Sequence, residues 1–70
     1  MKNLRKQYTI KQLDEYGNVF YEREDFSFKD KQKFIRLWKA QDRVQILEQH
    51  NVFIITKSTG EELWIFETRH

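Results

Sequence analysis

Apolar and polar residues alternate with a period of two near the start of the chain. Gln7 to Leu13 and Val19 to Glu24 both follow this pattern, which is typical of strands with one buried face. Between them, Gly17 and Asn18 tolerate the positive φ of a tight turn. The first 24 residues therefore predict a β-hairpin.

The expected register of this hairpin follows from pairing Asp14 with Val19. That pairing sets Leu13 opposite Phe20 and Lys11 opposite Glu22 on one face. The other face then carries Tyr8, Ile10 and Tyr21.

A helical period begins after Ser27. The Ser27 hydroxyl can accept a hydrogen bond from the N–H of Asp30, and the Asp30 carboxylate suits the first turn, so Ser27 is the predicted N-cap. The helical period places Phe34, Leu37, Trp38 and Gln41 on one side, with Phe28 and Ile35 at its flank. The opposite side collects Lys29, Lys33, Arg36, Lys39 and Arg43, and only Lys31 breaks the segregation.

The helix is expected to end near Arg43, because a longer helix would put Leu47 in the middle of the basic side. Val44 to Gln49 is then a strand, and turns at His50-Asn51 and Ser58 to Glu61 lead into strands at Val52 to Lys57 and Glu62 to Thr68. The predicted fold class is α+β, a single small domain over residues 1–70: an N-terminal β-hairpin, one amphipathic helix and a three-stranded antiparallel meander, ββαβββ. The alternative is ββαββ with a longer helix.

The meander is apolar on both faces. With Thr59-Gly60 as a two-residue turn, one face carries Phe53, Ile55, Trp64 and Phe66, and the other carries Ile54, Leu63 and Ile65. One helix covers only one face of a sheet. We expect the N-terminal hairpin to cover the second face by closing the sheet into a barrel-like form. The alternatives are a second copy of the chain or a different protein.

Composition points to a small cytoplasmic domain held together by packing. The chain has 70 residues, no Cys and 11 aromatic residues. A domain of this size without disulfides must be stabilised by packing, and the aromatic side chains can supply the buried area that this requires. No apolar region follows the basic start, and the longest apolar run, Val52 to Ile55, is too short for a membrane helix. We therefore expect no membrane association.

Charge is segregated along the chain although the net charge is only +2. Residues 1–11 carry +4, residues 12–30 carry −4, residues 31–43 carry +4 and the remainder carries −2. Such blocks predict local charged patches on the surface, which the small net charge of the whole chain does not show.

The sequence carries no recognisable catalytic motif. It lacks a Gly-rich phosphate loop, a nucleophile elbow, a zinc-protease motif and a Cys nucleophile. His50 is expected in a solvated turn and His70 at a frayed terminus, and Asp14 to Asn18 lacks the ligand spacing of an EF-hand. We expect no metal, no cofactor and no small-molecule substrate. A small metal-independent nuclease-like enzyme is the third hypothesis for function.

Two binding hypotheses rank above it. The first is a non-catalytic module that binds a protein partner or a second copy, as a regulator or inhibitor of a macromolecule, with Trp64 and Phe66, or their neighbours Leu63 and Ile65, as interface anchors. The second is direct nucleic-acid binding through the basic helix side, Lys29, Lys33, Arg36, Lys39 and Arg43, and a basic arm, Lys2, Arg5 and Lys6.

The order of a hairpin followed by a helix opening at Ser27 is similar to that of the small arm-binding modules of phage integrases. The resemblance covers the hairpin and the helix and rests on element order. The acidic second strand, with Glu22 and Glu24, departs from what insertion of that sheet into DNA requires. Abundant Lys, Asn, Ile, Phe and Tyr without Pro or Cys is typical of proteins from AT-rich bacteria and phages, so a phage or mobile-element origin is a hypothesis.

Overall fold

The computed structural model describes residues 6–68 and has the expected ββαβββ order. Its elements are β1 (Tyr8–Leu13), β2 (Val19–Phe26), α1 (Phe28–Gln41), β3 (Val44–Gln49), β4 (Val52–Lys57) and β5 (Glu62–Glu67). The strands form one antiparallel sheet in the order β2-β1-β5-β4-β3. The α+β class is therefore confirmed, and the ββαββ alternative is wrong because Val44–Gln49 is a strand.

The N-terminal hairpin extends the sheet in its own plane and does not fold over it. Strand β1 pairs with β5, so that Ile10 lies opposite Ile65, while β2 and β3 form the two edges. The expected closure into a barrel-like form is wrong. The physical reason is that β5 has a free row of backbone N–H and C=O groups on the side away from β4, and in-plane pairing with β1 satisfies it.

Helix α1 begins where its capping residues predict. The backbone N–H of Asp30 donates to the Ser27 hydroxyl at 3.1 Å, and the Ser27 N–H donates to the Asp30 carboxylate at 3.3 Å. This reciprocal pair satisfies two N–H groups that have no partner within the helix. The helix ends at Gln41 with Asp42 as its C-cap, so Arg43 lies beyond the helix and is not part of its basic side. That part of the prediction is wrong by two residues.

The hydrophobic core lies between α1 and one face of the sheet. Ile35 and Trp38 of the helix pack on a central group of fully buried side chains, Ile10, Ile55, Leu63 and Ile65. Phe34 meets the buried Phe26 edge to face, with ring centroids 5.3 Å apart. Leu37, expected on the apolar side, is 49% exposed and lies at the margin of the core, in a shallow depression that it shares with Phe20, Phe34 and Trp38.

The β4–β5 hairpin has a three-residue loop, not the two-residue turn expected. The N–H of Gly60 donates to the Lys57 carbonyl at 3.0 Å, and the N–H of Lys57 donates to the Glu61 carbonyl at 2.9 Å. Gly60 has φ +100°, the positive value that such a loop needs at its last position.

This single extra residue changes which side chains share a face. Ile55 lies opposite Leu63, and Ile54 lies opposite Trp64. The predicted grouping of Phe53 and Ile55 with Trp64 and Phe66 is therefore wrong, because a shift of one residue moves every side chain of a strand to the other face.

The β1–β2 hairpin has the same loop. Gly17 has φ +87°, and its N–H donates to the Asp14 carbonyl at 3.0 Å. Lys11 lies opposite Glu22 as predicted, and Leu13 lies opposite Val19. The expected Leu13–Phe20 pair is wrong, because the register shifts between Gln12 and Leu13 and leaves Phe20 as an extra residue in β2.

Candidate functional site

The sheet face away from α1, here called the open face, carries a contiguous apolar surface. The strand registers align Lys11, Trp64, Ile54 and Leu47 in one row across the sheet, and Thr9, Phe66, Val52 and Gln49 in the next. Residues paired across antiparallel strands have neighbouring side chains on the same face. The two rows therefore bring together five apolar residues, called here the open-face cluster: Leu47, Val52, Ile54, Trp64 and Phe66.

The open-face cluster is partly shielded at its centre and exposed at its edge. Ile54, between Trp64 and Leu47, is 9% exposed, whereas Leu47 on the edge strand β3 is 50% exposed. The indole Nε1–H of Trp64 donates to Glu62 Oε1 at 2.8 Å, which holds the ring in one orientation. The cluster is thus a shallow apolar surface with a fixed aromatic ring at its centre.

Carboxylates lie on the open face beside this surface, on β2 and at the start of β5. Glu22 and Glu62 lie on the open face by register, and Glu24 lines a shallow depression there together with Phe66 and Thr68. Lys11, opposite Glu22, places its ammonium 5.7 Å from the centre of the Phe66 ring. Three carboxylates against one ammonium make the open face acidic, which disfavours a phosphate backbone and favours Lys or Arg side chains.

Two of the predicted interface anchors lie in the core. Leu63 is fully buried and Ile65 is 2% exposed, both under α1. Neither side chain can reach a partner in this fold, so that prediction is wrong for both residues. The cause is the β4–β5 register, which leaves Trp64 and Phe66 as the apolar residues of β5 on the open face.

The basic side of α1 is exposed to solvent. Lys29, Lys33, Arg36 and Lys39 are all exposed, and in the described part of the chain none of them forms an ion pair. Lys6 pairs with Glu67 at 3.1 Å, and the hydrogen bond and charge of Glu67 raise the pKa of Lys6. Lys2 and Arg5 lie outside the described residues, so the predicted arm is represented by Lys6 alone.

Two other lysines, Lys31 and Lys57, lie over aromatic rings. The ammonium of Lys31, the residue that broke the charge pattern, lies 4.5 Å from the ring centre of Tyr8 and 4.7 Å from that of Phe28. The ammonium of Lys57 lies 4.3 Å from the Trp38 ring and donates to Gln41 at 3.0 Å. Both lysines cover aromatic rings at the margin of the core.

In the acidic turn between β1 and β2, the Asp14 carboxylate accepts hydrogen bonds from the turn's own backbone. The backbone N–H groups of Tyr16 and Asn18 donate to Asp14 Oδ1 at 2.9 and 2.8 Å. These bonds, chiefly the one from Asn18, lower the pKa of Asp14 and engage the oxygens that a cation would need. Among residues 6–68, no group of three or more His, Cys, Asp or Glu side chains is placed to hold a metal ion.

One of the two histidines lies within the described residues. His50 lies in the β3–β4 turn with φ 47° and is exposed, and His70 lies outside the described residues. The one helix of this part of the chain is too short and too polar to cross a membrane.

Comparison with protein-family models, with curated proteins and with solved structures found no match to this chain.

Proposed function

We propose that this chain is a non-catalytic binding module that takes a protein partner on the open face of its sheet. The observation that carries the proposal is the open-face cluster, in which Trp64 and Phe66 are partly buried and no helix or strand of residues 6–68 lies over them. Large apolar patches on a small domain mark interaction sites, and aromatic side chains dominate the energy of such interfaces.

The charge of the open face narrows the class of partner. Its carboxylates, Glu22, Glu24 and Glu62, flank the apolar rows. A second open face would bring like charges together, whereas a segment with an apolar stripe bordered by Lys or Arg matches both the apolar and the acidic parts. The proposed partner is therefore a basic amphipathic segment of another protein, which the module would regulate or inhibit.

A pair of synthetic amphipathic peptides tests this proposal. The two peptides share one apolar stripe and differ only in flanking Lys or Glu residues, and binding is measured by fluorescence anisotropy and by NMR shifts of the labelled protein. The Lys-flanked peptide is expected to bind and to shift the amides of β4 and β5. Trp64→Ala is expected to weaken binding by about 2 kcal/mol, or about 30-fold.

Leu37→Ala is the matched control. Leu37 is 49% exposed on the helix, away from the open face, so its truncation removes exposed apolar area without touching the proposed site. Binding by Leu37→Ala is expected to equal that of the parent. If neither peptide binds, or if Trp64→Ala binds as well as the parent, the open face is not the site.

A second candidate function is nucleic-acid binding through α1. The observation that favours it is the row Lys29, Lys33, Arg36 and Lys39, four exposed cations without a carboxylate partner among the described residues. Such a row can neutralise phosphates and release counterions regardless of sequence.

A salt series with random single- and double-stranded oligonucleotides tests this second candidate. On duplex DNA, log K is expected to fall with log salt by about 0.9 for each phosphate neutralised. Arg36→Glu should weaken binding strongly, while the control Lys11→Glu, the same charge change on the acidic open face, should weaken it far less. Equal effects of the two variants would rule out α1 as the contact surface.

A further inference from the structure

The two edges of the sheet are protected to different degrees. Edge strand β2 carries charged residues from Glu22 to Asp25, including an Arg23–Asp25 ion pair at 3.0 Å, and has two register shifts against β1. Edge strand β3 pairs with β4 without any shift, and its sequence VQILEQ contains one charged residue and no Pro or Lys. Charges and bulges block pairing of an edge with another chain, and β3 has almost none of them.

The backbone of β3 presents regularly spaced bonding groups at this edge. Gln49 and Val52 close the two-residue turn between β3 and β4, so their backbone groups bond to each other. Because backbone groups point alternately to the two sides of a strand, Val44, Ile46 and Glu48 direct their N–H and C=O groups outward. The outer edge of β3 can therefore form backbone hydrogen bonds with another antiparallel strand.

The side chains at the middle of β3 are apolar on both faces and exposed. Ile46 ends the core row that runs through Ile55 and Leu63, and it is 43% exposed. Leu47 ends the open-face row that runs through Ile54 and Trp64, and it is 50% exposed. Both rows of apolar side chains stop at this edge without a polar residue to close them.

We propose that β3 pairs antiparallel with β3 of a second copy of this chain, joining two five-stranded sheets into one. The pairing has a two-fold axis perpendicular to the sheet at Ile46 or at Leu47, so that both helices lie on the same side. The Ile46 register continues the core row across the axis, and the Leu47 register continues the open-face row. Each also places Glu48 opposite an apolar residue, Val44 or Ile46 of the second copy, and not opposite the second copy's Glu48.

A second copy fits this edge better than a foreign strand does. Natural edge strands carry charged residues, Pro or bulges that prevent pairing with another copy of the same strand. In β3 the only charged residue is Glu48, and it does not face Glu48 of the second copy in either register. The complementary edge is present in every copy of the chain. This inference does not rest on the proposed function, because the two open faces lie side by side in the dimer and both stay accessible.

Sedimentation equilibrium of the full chain over a hundredfold range of concentration is the first test. The parent is expected to change from monomer to dimer within that range. Leu47→Lys is expected to stay monomeric, because it sets two ammonium groups at the axis in the Leu47 register and one residue from the axis on each strand in the Ile46 register. Val19→Lys is the matched control, since Val19 is 49% exposed on the opposite edge strand, and it should dimerise like the parent. A parent that is monomeric throughout, or an unaffected Leu47→Lys dimer, overturns the proposal.

Amide hydrogen exchange of the unmutated chain gives a second readout that does not depend on the variants folding. The N–H groups of Gln45 and Leu47 bond within the sheet and should exchange slowly at every concentration. Those of Ile46 and Glu48 should exchange fast in dilute solution and become protected as concentration rises. Fast exchange of the Ile46 amide at the highest concentration would overturn the proposal even if some other dimer formed.

Discussion

At the scale of single residues, two glycines make the hairpin loops fit together. Gly17 and Gly60 both have positive φ, and the loops they end lie at the same end of the sheet, because β1 and β5 run antiparallel. A Cβ at Gly60 would lie 3.2 Å from Glu15 Cβ, whereas a Cβ at Gly17 would meet nothing within 4 Å. Two glycines with similar positive φ thus have different surroundings.

This difference predicts unequal costs for the same substitution. Gly17→Ala should lower the free energy of unfolding by about 1 kcal/mol, the penalty of an L residue at positive φ. Gly60→Ala should lower it further, since the added methyl group also presses on Glu15. Urea denaturation of both variants measures the two values.

A Glu15→Gly background provides the control for the loop contact. Without the Glu15 Cβ, the crowding at Gly60 is removed, so Gly60→Ala should cost about as much as Gly17→Ala does. A Gly60→Ala cost that is unchanged in this background would show that the two loops do not contact each other as described.

At the scale of elements, one carboxylate ties the end of α1 to the β4–β5 loop. Asp42 Oδ2 accepts from the Ser58 hydroxyl at 2.7 Å and from the Ser58 N–H at 3.1 Å, while Oδ1 accepts from the N–H of Arg43 at 2.7 Å. The hydroxyl bond from Ser58 and the backbone bond from Arg43 lower the pKa of Asp42. The tie therefore exists in full only while Asp42 is ionised.

The contribution of this tie should disappear in acid. A carboxyl group with a lowered pKa in the folded state adds stability above its unfolded pKa of about 3.9, and that stability is lost as pH falls through the folded value. Ser58→Ala should therefore destabilise the domain near neutral pH, and the difference from the parent should shrink as pH falls below about 4. Urea denaturation across this range measures the difference.

Asp42→Asn separates this tie from the other carboxylates of the domain. An Asn side chain does not titrate, so the effect of Ser58→Ala in that background should no longer depend on pH. A pH-dependent effect that persists in the Asn variant would assign the acid sensitivity to another group, such as Asp14, whose pKa is also lowered.

At the scale of the whole molecule, the register of β5 decides which sheet face is the core and which is open. Ile65→Lys should prevent folding, because an unpaired buried ammonium costs several kcal/mol and an ordinary 70-residue domain has only about 4–10 kcal/mol of stability. Phe66→Lys should leave the domain folded, since its ammonium would point to the acidic open face. Far-ultraviolet circular dichroism and thermal unfolding measure both outcomes. A folded Ile65→Lys variant and an unfolded Phe66→Lys variant would contradict the register.

Much of the local structure was predictable from neighbouring residues. Ser27 and Asp30 cap the helix in the expected way, and the position of Leu47 on a continued helix correctly indicated that β3 is a strand. The Lys11–Glu22 pair was also correct. Of the four candidate interface anchors, Leu63 and Ile65 are buried, whereas Trp64 and Phe66 lie on the open face and stay a prediction.

The sequence by itself determined the elements and their order and placed their ends to within two residues, because capping, turn residues and apolar periodicity act over a few neighbouring positions. Only the tertiary structure decided the faces of β5, the in-plane position of the hairpin and the bare edge at β3. A loop of three residues in place of two reverses the faces of a strand, and the choice depends on how Leu63 and Ile65 pack under Trp38. The edge likewise depends on which strand pairs with β5, a contact between residues 49 to 59 positions apart.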